Sequence, residues 1–348
     1  MTGPRPLPTA APDDAATPDG DLAAEPAKRS ATAAPIPPDI AAPATAPRGS
    51  VPAIPAPQDN VLGGILLLLC AVTLFSCSDA VSKLLRTTLP AGEIVWIRYL
   101  VFVAMTLVLL GRNRFRGLHA RRPGLQLMRG LCILTSSVLF VIGLGYLPLA
   151  EATAINYVAP TFITLLSIPV LGEVVGFRRW IALLVGFTGV LIVVQPGGGT
   201  FQWAAVLPLL TAAAWAGGVV ITRRIGVADH PATTMFWTAC TGFVALTLFL
   251  PFDFRMPTGW EFGLGLLHGV LGSAGQMLVV QAYRQAPASV LAPFSYGQIV
   301  TSALVGYAVF GAFPGQAMLL GSGVIIASGL YTAHRERLRA RERQGKAG

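Results

Sequence analysis

The chain has 348 residues, of which 53% are hydrophobic and only 12% charged, against about 25% charged in an ordinary soluble domain. That balance excludes an ordinary cytosolic enzyme and a nucleic-acid-binding domain, and the net charge of +9 must be explained by where the basic residues sit. Cys70, Cys77, Cys132 and Cys240 are scattered through apolar stretches without metal-ligand spacing. They exclude a disulfide scaffold and a zinc site, and no cofactor is implied.

Residues 1–58 carry 14 of the 27 prolines, ten charges and no aromatic residue. Proline at this density breaks helices, and so little apolar surface cannot offset the entropy of ordering. The segment reads as a disordered Pro/Ala-rich cytoplasmic tail. It lacks the apolar centre of a signal peptide.

A bilayer span needs about 20 mostly apolar residues. Ten such stretches follow: 61–82, 92–111, 125–146, 150–171, 179–195, 203–222, 232–251, 261–282, 288–310 and 315–334. The runs are continuous rather than alternating, which excludes a transmembrane β-barrel. With the N-terminus cytoplasmic, 16 Lys and Arg fall on the cytoplasmic side, including the basic tail 335–348, and three (Lys83, Arg86, Arg255) on the other. The positive-inside rule then puts both termini in the cytoplasm of an integral, multi-pass inner-membrane protein. The same distribution explains the basic charge without a nucleic-acid partner; the bilayer is the partner instead.

Five spans (59–197) are followed by five more (203–334). An odd number per half forces the second half to insert upside down, so the fold expected is all-α, ten transmembrane helices in two inverted repeats. Residues 152–160, ATAINYVAP, align loosely with 288–296, ASVLAPFSY, each after a proline-containing connection (Pro148; Pro287). Inverted repeats characterise secondary transporters, with the substrate site near the midplane between them.

The span-2 segment Glu93-Ile-Val-Trp96-Ile-Arg98-Tyr99 resembles the drug/metabolite transporter superfamily. The stretch from Tyr146 through Glu151, Asn156, Tyr157 and Pro160 to Gly172-Glu173 resembles its EamA branch. The resemblance covers about residues 60–334 and implies a transporter. In that family the second repeat usually carries a proline and a terminal glutamate; here Tyr296 stands where Pro160 aligns, and no glutamate lies near 310. Ser78-Asp79-Ala-Val-Ser82-Lys83 is also similar to bacterial members proposed to move riboflavin, S-adenosylmethionine or amino-acid-like metabolites.

Charges inside hydrocarbon cost at least about 2.5–3.5 kcal/mol on insertion scales, so each needs a reason. Asp79 and Lys83 share a helix face at i, i+4 and can pair. They form either a neutralised pair reaching the outer interface or the mouth of a substrate cavity. Arg98, six residues into span 2, is either a clamp on Glu93 or Asp79 or a ligand for an anionic group. Glu151 either caps span 4 or acts as an outer gate or proton-coupling acid. Arg129 reads as a positive-inside anchor, and Glu173 as a partner of Arg178 or Arg179. Asn156 and Tyr157 in span 4, with Tyr296 and Gln298 in span 9, are the candidate substrate contacts. An aromatic face beside an amide suits a planar or amino-acid-like solute. Trp215 and Gln276 join them. Gly265, Gly269 and Gly272 form a close-packing face on span 8. His119, His230, His268 and His334 are placed in loops or near span ends.

The function expected is a secondary transporter moving a small polar metabolite (amino-acid-like, nucleoside-like or vitamin-like) by alternating access, with possible proton coupling. The chain has no GxxxxGK[ST] for ATP and no GxSG or HExxH constellation for an intramembrane enzyme. A signalling or structural membrane protein without flux is the remaining alternative. Deleting residues 2–55 is expected to leave membrane insertion and thermal unfolding unchanged, measured by fractionation and a melting curve; loss of insertion would show the tail to be structural.

Overall fold

The computed structural model describes residues 60–112, 119–172, 177–195, 203–225, 229, 231–286 and 288–345. The 1–58 tail, Glu173, His230, Pro287 and the junction near residue 200 lie outside them. The described residues are mostly helical: α1 (Val61–Leu85), α2 (Ala91–Arg112), α3 (Pro123–Leu144), α4 (Leu149–Asn156), α5 (Ala159–Leu171) and α6 (Phe177–Val194). They continue with α7 (Val206–Ile225), α8 (Pro231–Phe249), α9 (Gly259–Gln285), α10 (Ala288–Ser295), α11 (Gly297–Phe310) and α12 (Gln316–Gly345).

Local chemistry sets the boundaries. Asn60 caps α1 by accepting from the Gly63 amide at 2.9 Å. Thr258 and Glu261 form a reciprocal capping box at the start of α9. Pro123 opens α3, where a missing N–H is harmless. Gly172 and Gly311 end α5 and α11 in the left-handed conformation, at φ 69° and 65°, where any other residue would be strained.

Among the described residues, seven helical stretches are long and apolar enough to cross a membrane, and Trp180–Val194 and Gln316–Thr332 are shorter apolar helices. The stretch 288–310, expected as one span, is two helices meeting at Tyr296, and 149–171 is likewise broken at Tyr157 and Val158. Pro160 supplies the reason for the first break: it has no amide to give the carbonyl of Asn156. Measured from the capping glycines, Gly172 and Gly311, the two broken stretches lie 139 positions apart. That register sets Tyr157 against Tyr296 and Pro160 against Ile299, three residues from the alignment expected from the sequence text. α12 runs to Gly345, about 45 Å at 1.5 Å per residue, through the segment separated above as a tail.

The helices pack as α1 on α9, α3 on α7, α6 on α12 and α2 on α8. Further contacts join α5 to α7, α1 to α11, α2 to α9, α3 to α8 and α4 to α11. Small residues allow the closest approaches. A Cβ on Gly189 would stand 2.8 Å from the Gly321 carbonyl, and one on Gly242 would stand 2.0 Å from the Tyr99 ring. Gly265 and Gly269 of α9 lie against Ile97 and Val101 of α2, the close packing their spacing predicts. The largest buried cluster gathers Leu144, Leu149, Ile155, Val190, Ala212 and Ile299 around α4 and α11.

Two polar junctions tie helix starts to neighbours. At one, Asp229 accepts from the Arg121 amide and from Gln126 Nε2, each at 2.8 Å. Arg129 donates to Thr222 Oγ1 at 2.7 Å and to Thr238, so it bridges α3, α7 and α8. At the other, the Arg255 amide donates to Glu93 Oε2 at 3.3 Å, and the Arg255 guanidinium to the Thr88 carbonyl.

The Arg121 amide holds the Asp229 carboxyl below the usual carboxylate range; burial opposes this, and Gln126 adds to the lowering. A depressed carboxylate stabilises the fold above its unfolded value, near 3.9, and that contribution is lost as pH falls through the lower folded value. Asp229→Asn is therefore expected to lower stability by about 1 kcal/mol at neutral pH, discounted for solvent screening. The difference from the parent should shrink below about pH 4, read by melting curves across pH.

Candidate functional site

The two helix breaks meet. The Tyr157 and Tyr296 rings lie 5.2 Å apart between centroids, tilted by 38°. Tyr157 Oη donates to the Ser295 carbonyl at 2.5 Å and lies 3.3 Å from Gln298 Oε1. Gln298 Nε2 in turn reaches Asp79 Oδ2 at 3.5 Å. A chain of polar contacts thus runs from α1 through α11 to the end of α4. The Tyr296 ring is seated differently. A Cβ on Gly329 of α12 would stand 1.9 Å from its hydroxyl oxygen and 2.1 Å from Cζ, so the ring occupies a notch that only glycine leaves open.

Arg98 borders the other end of this chain. A Cβ on Gly272 of α9 would be 3.5 Å from Arg98 Nε and 3.4 Å from Ser78 Oγ. Arg98 is also close enough to act electrostatically on Asp79. Beside it stands His268, 1% exposed and well inside α9 rather than near a span end as expected. Its Nδ1 lies 2.7 Å from Ser78 Oγ and 2.9 Å from the Ser78 carbonyl, while Ser78 Oγ donates back to the His268 carbonyl at 3.0 Å. A carbonyl can only accept, so this network assigns the proton to Nδ1. Nε2 then carries a buried lone pair with no hydrogen-bond partner. Sequence reasoning missed His268, although it falls on the glycine-lined face of span 8.

The remaining candidates fall outside this cluster. Lys83 does not pair with Asp79: its ammonium donates to the Leu144 carbonyl at 2.8 Å and to the Leu147 carbonyl, and stands 5.7 Å from the Phe310 ring centroid. The physical reason is that the carbonyl of Leu144, ending α3, and that of Leu147 in the turn after it lie within its reach and need a donor in this buried setting. Glu151, in the first turn of α4, acts electrostatically on Lys83. Glu93 meets the Arg255 amide rather than Arg98. Asn156 keeps a buried Oδ1 without a partner. Trp215 is 43% exposed, and among the described residues no hydrogen bond or ring contact joins it or Gln276 to the cluster.

The notch makes a direct prediction. Gly329→Ala forces the rigid Tyr296 ring to move and is expected to lower stability by about 1–3 kcal/mol. Adding Tyr296→Ala should recover most of that loss in a melting curve. No recovery would mean that the ring is not what the alanine meets.

The EamA-like transporter family matches residues 62–195 and 202–332. The chain is 30% identical over 293 residues to a riboflavin transporter of Rhizobium johnstonii, covering 82% of this chain and 95% of that one. It is 26% identical over 280 residues to an S-adenosylmethionine uptake transporter of Rickettsia prowazekii, covering 79% and 94%. It is 31% identical over 273 residues to a pseudopaline exporter of Pseudomonas aeruginosa, covering 77% and 94%. A solved crystal structure of a protein shares the fold with TM-score 0.57 at 21% identity, over 79% of this chain and 98% of that one. With both halves matched and the apolar helices in place, the chain belongs to the EamA-like transporter family and is a multi-pass membrane transporter of small metabolites.

Proposed function

We propose that the protein is an inner-membrane secondary transporter of ten spans, built as two five-span repeats inserted with opposite orientation. In this reading both termini are cytoplasmic and the solute crosses by alternating access. The observation that carries the reading is the meeting of Tyr157 and Tyr296 at two matching helix breaks, 139 positions apart in the chain.

Other features support the repeat. Leu149 and Ala288 open α4 and α10, and Phe177 and Gln316 open α6 and α12, again 139 positions apart. Exchanging each span with its counterpart maps the main helix pairs onto one another, though not every contact: α1 on α9 becomes α7 on α3, α2 on α9 becomes α8 on α3, and α1 on α11 becomes α7 on α5, whereas α4 on α11 has no counterpart of similar size. The two polar junctions follow the same exchange, with Asp229 holding the Arg121 amide in one and Glu93 the Arg255 amide in the other. Such a frame has two related conformations, each opening one end.

The tyrosine faces suit a planar ring, a chemistry that riboflavin and S-adenosylmethionine, the cargoes of two relatives, both present. Gln298 and Asn156 offer hydrogen bonds beside the rings, while Trp215 and Gln276 stand apart from them. Asp79 is the carboxylate placed to exchange a proton against the solute, and Lys83 and Glu151 stand where an outer gate closes.

Two experiments test this. In proteoliposomes, saturable flux of riboflavin or S-adenosylmethionine is expected, with affinity several-fold weaker in Tyr296→Ala, matching loss of about 0.5–1.5 kcal/mol per aromatic pair. Absence of flux for both solutes counts against transport of these classes. Reporter fusions after Gly198 and Arg255 should read the outer face, and one after Arg114 the inner. Opposite readings at two of the three would sink the ten-span topology.

A further inference from the structure

Arg98 lies seven residues beyond Ala91, about 10 Å into α2 at 1.5 Å per residue. Its guanidinium is turned inward, against Gly272 of α9 and beside Ser78 of α1. The next residue of α1 is Asp79. A cation and an anion therefore stand on neighbouring helices, close enough to act on one another. They are not spent on each other. Among the described residues, Asp79 accepts only the 3.5 Å contact from Gln298, and no hydrogen bond reaches Arg98. Each keeps part of its surface accessible rather than sealed.

Charges held among apolar helices are normally paired, because an unpaired one keeps its whole desolvation penalty. Here opposite charges lie close enough to feel one another, yet stay separate. An anionic solute would gain at Arg98 and lose at Asp79; a cationic one would do the reverse. Only a solute carrying both charges gains at both. A planar guanidinium fork fits a carboxylate with two parallel hydrogen bonds, and a carboxylate fits an ammonium. Gln298 bonds both Asp79 and Tyr157, so it carries the space on from the charges to the tyrosine pair.

We propose that Asp79 and Arg98 form a zwitterion subsite, Asp79 taking an ammonium and Arg98 a carboxylate, with the solute's planar part lying past Gln298 against Tyr157 and Tyr296. This rests on the transport reading and narrows it: neutral planar solutes fill only half of the site.

The test compares two commercial probes that share an adenine ring, a ribose and a thioether, one with a zwitterionic tail and one without. Full-length protein in detergent is titrated calorimetrically with S-adenosylhomocysteine and with 5′-methylthioadenosine. The tailed probe is expected to bind at least about tenfold more tightly. That ratio should fall to within about twofold in Arg98→Gln and in Asp79→Asn. Arg98→Lys should keep part of it, since an ammonium preserves the charge but not the fork. The ratio in the unaltered protein decides the matter even where a variant fails to fold. Equal affinities, or no binding of S-adenosylhomocysteine, overturn the subsite. Saturable proteoliposome flux of methylthioadenosine or riboflavin alongside equal affinities would leave transport standing without the subsite. Equal affinities together with absence of flux for all three solutes would overturn the subsite and the reading that the cargo belongs to these classes.

Discussion

The hydroxyl of Tyr157 on the carbonyl of Ser295 is the contact on which the centre of this structure turns. A helix that breaks inside hydrocarbon frees backbone groups that lipid cannot satisfy. The chain breaks twice, at Tyr157 and at Tyr296, and after the second break the Ile299 amide turns to the Tyr296 carbonyl. The Ser295 carbonyl then takes its bond from the side chain at the other break. Each break is tolerable because the other half of the molecule stands beside it. The same geometry brings two aromatic faces and an amide together in the interior, where a solute can use them.

The two halves are built alike and filled differently. Arg129 and His268 stand 139 positions apart, each where one helix crosses two others. Arg129 spends its donors on threonines of α7 and α8. His268 is clasped by Ser78 of α1 and lies near Arg98, which makes no hydrogen bond among the described residues. One crossing is satisfied, while the other keeps an open cation, an open carboxylate and a buried lone pair. Two halves matched by the same family thus carry different polar chemistry at corresponding crossings.

The apolar runs were legible because twenty-residue hydrophobicity is a strong and local signal, and the helices fall where those runs lie. The tyrosines could be singled out because polar aromatics are conspicuous in such runs. Register was not legible. Text similarity set Tyr296 opposite Pro160, whereas the capping glycines set it opposite Tyr157, because helix ends rather than matching letters fix depth. The partner of Lys83 was missed because an i, i+4 rule sees one helix and not the carbonyls ending another. His268 was passed over because its partners, Ser78 and Arg98, are distant in sequence.

Gly329 is a determinant made of nothing. The place of the Tyr296 ring depends on an atom that α12 lacks. Surveys that strip side chains one at a time cannot remove what is not there, and a list of residues touching a solute would omit it. A wider opening between the tyrosines needs space behind Tyr296, and a narrower one needs that space filled. If the tyrosines line the passage as proposed, its selectivity is adjustable from α12, behind the ring, without changing any group that meets the cargo.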